Sequence, residues 1–167
     1  MQARYRKNFY VRSNEKPACP NCDSPLKVVG SRKRKVYEAD GSRRQLIIRR
    51  LYCTNCRCIH HELPDIITPR KRYSTDTIEQ VLSEKSQDFF PGEGSTMIRI
   101  HFWFSLLRNY IERTLEALRQ IYKEDRDLTI RISSLLPLSP SALPAGWLKQ
   151  VVRILVNSGR WRQTRNA

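Results

Sequence analysis

The sequence predicts an α+β chain, with a small three-stranded sheet in its N-terminal part and an all-helical part after it. Three observations carry this prediction. Two Cys-x2-Cys pairs, Cys19/Cys22 and Cys53/Cys56, flank thirty residues that read as two strands around an Asp40-Gly41 turn. Beyond Thr77, apolar residues recur at the three-to-four spacing of amphipathic helices. Pro91-Gly92-Glu93-Gly94 and the set Pro137, Pro140 and Pro144 punctuate that helical part.

Composition narrows the partners. With 167 residues and 40% hydrophobic content, the chain suits one domain or two small ones with a modest core. No apolar run approaches the roughly 18 to 20 residues of a membrane span, and the basic N-terminus lacks the apolar stretch of a secretory signal. The expectation is a cytoplasmic protein with no membrane partner, whose thiols stay reduced and available to metal. The net charge is +15 and uneven: residues 1–72 carry 18 Lys and Arg against 6 Asp and Glu, whereas residues 73–167 carry 13 against 10. A polyanionic partner is expected, held mainly by the cysteine-bearing segment.

Taken in order, residues 1–16 form a basic N-terminal arm with Tyr5, Phe9 and Tyr10 interleaved, which reads as an arm or as an edge strand. Residues 17–68 read as a zinc ribbon. Each Cys-x2-Cys loop presents two thiolates from one tight turn, and a β-hairpin that joins two such loops completes the tetrahedron that Zn²⁺ prefers. Pro20-Asn21 and Thr54-Asn55 fill the loops with turn residues. The strands run over Leu26–Val29 and on through Arg32-Lys33-Arg34-Lys35 into Val36-Tyr37. After the Glu38–Ser42 turn, where Asp40-Gly41 supplies the positive φ of a hairpin, the chain returns over Gln45–Tyr52. Ile59–Leu63 is the third strand. Cys19, Cys22, Cys53 and Cys56 are the expected ligands of one structural Zn²⁺. Cys58 is expected to be a spare buried thiol, and His60 and His61 to be strand residues.

Basic side chains lie on both arms of the hairpin and at its exit. Arg32, Lys33, Arg34, Lys35, Arg43, Arg44, Arg49 and Arg50, with Arg70, Lys71 and Arg72 beyond Pro69, are the expected phosphate contacts.

Residues 73–123 read as a helix-turn-helix-like region. Ser74 or Asp76 caps a short helix through Thr77, Ile78, Val81 and Leu82, and Glu79 favours the positive end of that helix. After the Pro91–Gly94 break, Ser95 caps a long helix through Ile98, Trp103, Leu107, Tyr110, Ile111, Leu115, Leu118 and Tyr122. Phe102-Trp103-Phe104 are read as core, and Thr96 and Arg99 as the side chains nearest bases. Residues 124–146 read as a Pro/Ser-rich linker. Residues 147–167 read as a last amphipathic helix through Leu148, Val151, Val152, Leu155 and Val156, stopped by Asn157-Ser158-Gly159 and followed by a basic tail. No Gly-rich phosphate loop, nucleophile elbow or His-Glu-x-x-His helix appears, so the chain is expected not to be an enzyme.

The order of these features resembles a known family. Cys19-Pro20-Asn21-Cys22, Arg49-Arg50-Leu51-Tyr52-Cys53-x2-Cys56, Ile59-His60-His61-Glu62-Leu63-Pro64-Asp65 and Arg70-Lys71-Arg72-Tyr73 resemble the amino-terminal zinc ribbon of insertion-sequence transposases. They are more similar still to an uncharacterised bacterial domain family that keeps this ribbon without a transposase catalytic domain. Ser95–Arg99 to Trp103-Phe104, and Gly146-Trp147-Leu148 to Asn157–Trp161, resemble that family's carboxyl half. The resemblance implies a mobile-element-associated binder of double-stranded DNA, a regulator or transposition accessory that works beside a transposase or recombinase encoded elsewhere. It departs from a full transposase because the 44 residues after Lys123 are too few for a nuclease-like fold with three metal-binding carboxylates. The alternative is a zinc-ribbon adaptor that binds RNA or a transcription or ribosomal complex.

Overall fold

A computed structural model describes residues 8–14, 16–83 and 94–161 of the chain. Among the described residues the fold is mixed: a small sheet built near the N-terminus, then four helices. The sheet contains β1 (Asn8–Tyr10), β2 (Leu26–Tyr37), β3 (Arg43–Cys53) and β4 (Ile59–His61). β3 is central. β2 runs antiparallel along one side of it, with Leu26 opposite Cys53 and Tyr37 opposite Arg43. The other side is shared end to end by β4, antiparallel to Arg50–Tyr52, and β1, parallel to Gln45–Ile47. The sheet therefore has four strands and not the expected three. β4 is only 3 residues long against the 11 of β3, which leaves an edge that residues of the basic arm fill.

Alternation gives the sheet two unlike faces. Leu46 and Ile48 point to the same side as Val36 and pack with Ile67 from the segment after β4, a core of four buried residues with Val11, Leu63 and Ile66 around it. So small a core is marginal by itself.

The larger core belongs to α1 (Thr75–Leu82), α2 (Gly94–Ile121), α3 (Arg126–Ser134) and α4 (Trp147–Asn157). α2 buries Ile100, Trp103, Phe104, Leu107, Ile111, Leu115 and Leu118 at helical spacing, and α4 buries Trp147, Leu148, Val151, Val152 and Leu155 against them. Trp103 and Phe104 are core, as the periodicity requires, whereas Phe102 is 62% exposed. Ser74 is the N-cap of α1, its hydroxyl accepting from Thr77 N–H at 3.2 Å. Ser95 lies inside the first turn of α2, and the Pro91–Glu93 break lies outside the described residues.

Within residues 124–146, read as linker, α3 forms. Asp125 caps it by accepting from Leu128 N–H at 3.0 Å, and Ile132 is its one buried residue. One fully buried residue in a helix of 9 leaves no periodic signal, so the cap and the contact with α2 make this helix.

Two caps secure α4, one tertiary and one local. Gly146, at its N-terminus, has no side chain to cap with, and the buried Glu79 of α1 does so instead, accepting from Gly146 N–H at 2.6 Å and Leu148 N–H at 3.0 Å. Glu79 thus serves the N-terminus of α4 and not that of its own helix. At the other end Gly159 takes φ +68, with Gly159 N–H donating to Val156 at 3.0 Å and Arg160 N–H to Leu155 at 2.9 Å. This is a Schellman ending.

The ribbon and the helices meet at both ends of the hairpin. Beside the turn, Tyr37 N–H donates to Arg72 C=O and Ser74 N–H to Tyr37 C=O, at 2.9 and 2.8 Å. At the cysteine end, Gly159 lies so near the first Cys-x2-Cys loop that a Cβ there would sit 2.8 Å from the Pro20 carbonyl oxygen. Gly159→Ala is therefore expected to lower stability by about 1–3 kcal/mol through strain alone. A urea midpoint equal to that of the unsubstituted chain would show that this junction yields freely.

Candidate metal centre and nucleic-acid interface

The two Cys-x2-Cys loops fold alike although thirty residues separate them. In each, the first cysteine's N–H donates to the carbonyl five residues on, Cys19 to Ser24 and Cys53 to Cys58, both at 2.9 Å. In each, the residue after the second cysteine adopts the left-handed region, Asp23 and Arg57 both at φ 57. A non-glycine residue takes that conformation at a cost, so its repetition marks two loops shaped to the same task. β2 leaves the first loop and β3 delivers the second, and the Leu26–Cys53 pairing brings the two loops together.

As a result the Sγ atoms of Cys19, Cys22, Cys53 and Cys56 all lie within 4.8 Å of one another. Cys19 and Cys56 are 3.5 Å apart, as are Cys22 and Cys53. A tetrahedral zinc site with Zn–S bonds of about 2.3 Å spaces its sulfurs by about 3.8 Å, so the residues fit the ion. Four cysteines close together can hold a metal ion such as zinc.

The thiols are polarised unevenly. Hydrogen bonds from Ser24, side chain and backbone, and from Asn55 bring Cys22 down to about 5, a thiolate at neutral pH. A hydrogen bond from the Cys58 backbone also favours the Cys56 thiolate. Burial and the crowding of Cys53, Cys19 and Cys58 outweigh it and push Cys56 up to about 12. Sulfurs this crowded share negative charge only around a cation.

His60 comes closer to this centre than its reading as a plain strand residue implied. Its Nε2 lies 3.4 Å from Cys19 Sγ, and with Cys19 as a metal-bound thiolate the imidazole N–H is the donor. Period-two arithmetic contains the signal: His60 pairs with Leu51, which shares a face with Cys53. Cys58 was expected to be buried and is exposed, with its thiol on the Cys56 carbonyl at 3.4 Å. It follows the left-handed Arg57, which turns the chain out of the loop before β4 begins.

Residues 19–100 match the model of a family described as a domain of unknown function (DUF6431). The DUF6431 match begins at the first cysteine of the cluster, spans the hairpin and α1, and stops early in α2. No curated protein and no solved structure matches the chain. No helix among the described residues is long and apolar enough to cross a membrane.

The basic residues anticipated from sequence fall into two groups. The first is engaged within the fold. Arg49 is clamped by Glu62, Nε to Oε2 at 2.5 Å and Nη2 to Oε1 at 2.6 Å, which lowers the Glu62 pKa and raises that of Arg49. Arg44 pairs with Glu38 at 3.1 Å and stacks on Phe9, and Arg34 donates to Lys71 C=O at 2.9 Å. Lys71 places its ammonium 4.2 Å over the Trp103 ring, where burial brings its pKa down to about 8.

The second group faces solvent. Lys33, Lys35 and Arg43 are exposed on one face of the hairpin, opposite Ile47, Gln45 and Tyr37 respectively. Arg32 is exposed and Arg50 half-buried on the other face. Arg72 and Arg99 are exposed and Thr96 is half-buried, whereas Arg70, exposed as well, is engaged with a partner. Sequence counts cations; only packing divides them into struts and open charges.

Proposed function

We propose that this chain is a non-catalytic zinc-ribbon protein that binds double-stranded DNA through its hairpin. One observation carries the reading. Lys33, Lys35 and Arg43 lie exposed on one side of β2 and β3, and among the described residues none has a carboxylate within ion-pair distance. An uncompensated cationic face on a rigid, metal-held strand pair suits a phosphate backbone. The exposed Tyr10, on the same face beside Ile47, adds an aromatic surface to it. We further propose that α1 and α2 act as a helix-turn-helix-like unit, in which the exposed Arg99 reads bases from the start of α2. The resemblance of the ribbon to transposase ribbons supports a mobile-element setting, with a separately encoded transposase or recombinase as partner.

Fluorescence anisotropy on duplex DNA tests this reading. The Lys33→Ala/Lys35→Ala/Arg43→Ala variant is expected to weaken binding at all sequences alike and to reduce the salt slope by about 2 to 3. On a selected site, Arg99→Ala is expected to cost roughly 1 to 3 kcal/mol, and much less on random DNA. An unchanged dissociation constant for the triple variant removes this face from the interface, and preference for structured RNA over duplex DNA in competition favours the adaptor alternative.

A further inference from the structure

The other face of the same hairpin gathers cations of its own. Gly30 of β2 and His61 of β4 flank Arg50 of β3 from opposite sides, so the three form one row across the sheet. Arg32 and Arg34 follow on β2, opposite Ile48 and Leu46, and alternation puts them on the same side as Arg50 and His61. β2 is bulged between Val28 and Gly30. Gly30 takes φ +147, and a Cβ built on it would meet nothing within 4 Å. The row therefore has open space at Gly30, the residue paired with Arg50.

Among the described residues the cations around this space lack counter-ions. Arg44 and Arg49, the neighbours on β3, have Glu38 and Glu62. Among the described residues no carboxylate lies within ion-pair distance of Arg32, Arg34 or Arg50. Arg34 is held in place by its bond to Lys71 C=O. His61 registers the crowding: burial first, then Arg32, Arg50, Arg34 and His60, depress its pKa. Like charges brought together on one strand face repel one another, and an oxyanion that accepts from several of them reverses the sign of the interaction.

We infer that Gly30, Arg32, Arg50 and His61 form a site for one phosphate-type oxyanion. Arg32 and Arg50 supply guanidinium donors, His61 a ring N–H, and Gly30 the space for the ligand to approach the strand. The inference rests on the nucleic-acid reading for its natural ligand, a backbone phosphate. With Lys33, Lys35 and Arg43 on the opposite face, the hairpin then meets phosphate on both of its sides.

The test uses the full-length, zinc-loaded chain and two probes. Inorganic phosphate titrated against ¹⁵N-labelled protein is expected to give saturable shifts at Arg50 Nε–H, Arg32 Nε–H and the His61 ring, abolished by Arg50→Ala and weakened by Arg50→Lys. Duplex DNA is expected to bind Arg32→Ala/Arg50→Ala about tenfold or more weakly, with zinc content and amide dispersion unchanged. Unsaturable shifts spread over all exposed cations, or full DNA affinity in the double variant, overturn the site. Saturable phosphate binding at these residues in a chain that binds no DNA at all supports the site and overturns the nucleic-acid ligand instead.

Discussion

Cys53→Ser is expected to release the metal and unfold the ribbon while leaving the helical core in place. Cys53 is fully buried at the end of β3, the strand to which β1, β2 and β4 all pair. Its sulfur stands 3.5 Å from Cys22 Sγ and accepts from Cys56 N–H at 3.5 Å, so a shorter, weakly acidic hydroxyl breaks the cluster at its centre. Structural zinc contributes apparent binding free energies of about 10–16 kcal/mol in small metal-held domains, at least as much as the roughly 6–12 kcal/mol of four buried aliphatic residues. A colorimetric zinc assay and amide dispersion check the result together. Stoichiometric metal in the variant, or a metal-free ribbon with dispersed amide signals, would count decisively against the metal centre. The nineteen buried residues of the helical cluster include none from the ribbon, so the far-ultraviolet signal of α2 and α4 should persist.

The second large effect is expected at Glu79. This side chain is 8% exposed and receives two N–H groups from the N-terminal end of α4, Gly146 at 2.6 Å and Leu148 at 3.0 Å. Hydrogen bonds to a charged group are each worth about 1.5–3 kcal/mol net, and the carboxylate also faces the positive end of a helix dipole. Because the two bonds share one carboxylate, Glu79→Ala should cost about 3 kcal/mol and not their sum. Urea unfolding followed by fluorescence of the fully buried Trp147 reports it. Asp76→Ala is the contrast: its pair with Lys149 at 2.8 Å is half-exposed, and its loss should move stability by no more than about 0.5 kcal/mol. Equal effects of the two substitutions would show that Glu79 is not the cap of α4.

Both variants concern residues that sequence reading handles very differently. Cys53 is legible from spacing alone, because a Cys-x2-Cys loop is a local object whose chemistry is contained in four residues. Glu79 reads from sequence as serving its own helix, because a carboxylate in the first turns ordinarily acts there. Its partners lie 67 and 69 positions away, across a proline-rich segment with no periodic signal to bring them together. α3 escaped for a related reason, since its one buried residue, Ile132, leaves no pattern to count.

The sequence by itself determined the cysteine quartet, the Asp40-Gly41 hairpin, the apolar stripes of α2 and α4 and the excess of positive charge over residues 1–72. These depend on spacing, turn chemistry and composition, all properties of neighbours along the chain. The tertiary structure decided which charges remain open. Arg49 is neutralised by Glu62 and Lys71 is drawn over Trp103, while Lys33, Lys35 and Arg43 are left to solvent. It also seated His60 against Cys19, turned Cys58 outward and recruited β1 as a fourth strand. The reason is physical: a side chain's charge state and partners follow from what the fold packs against it, and that surface is assembled from segments remote in sequence.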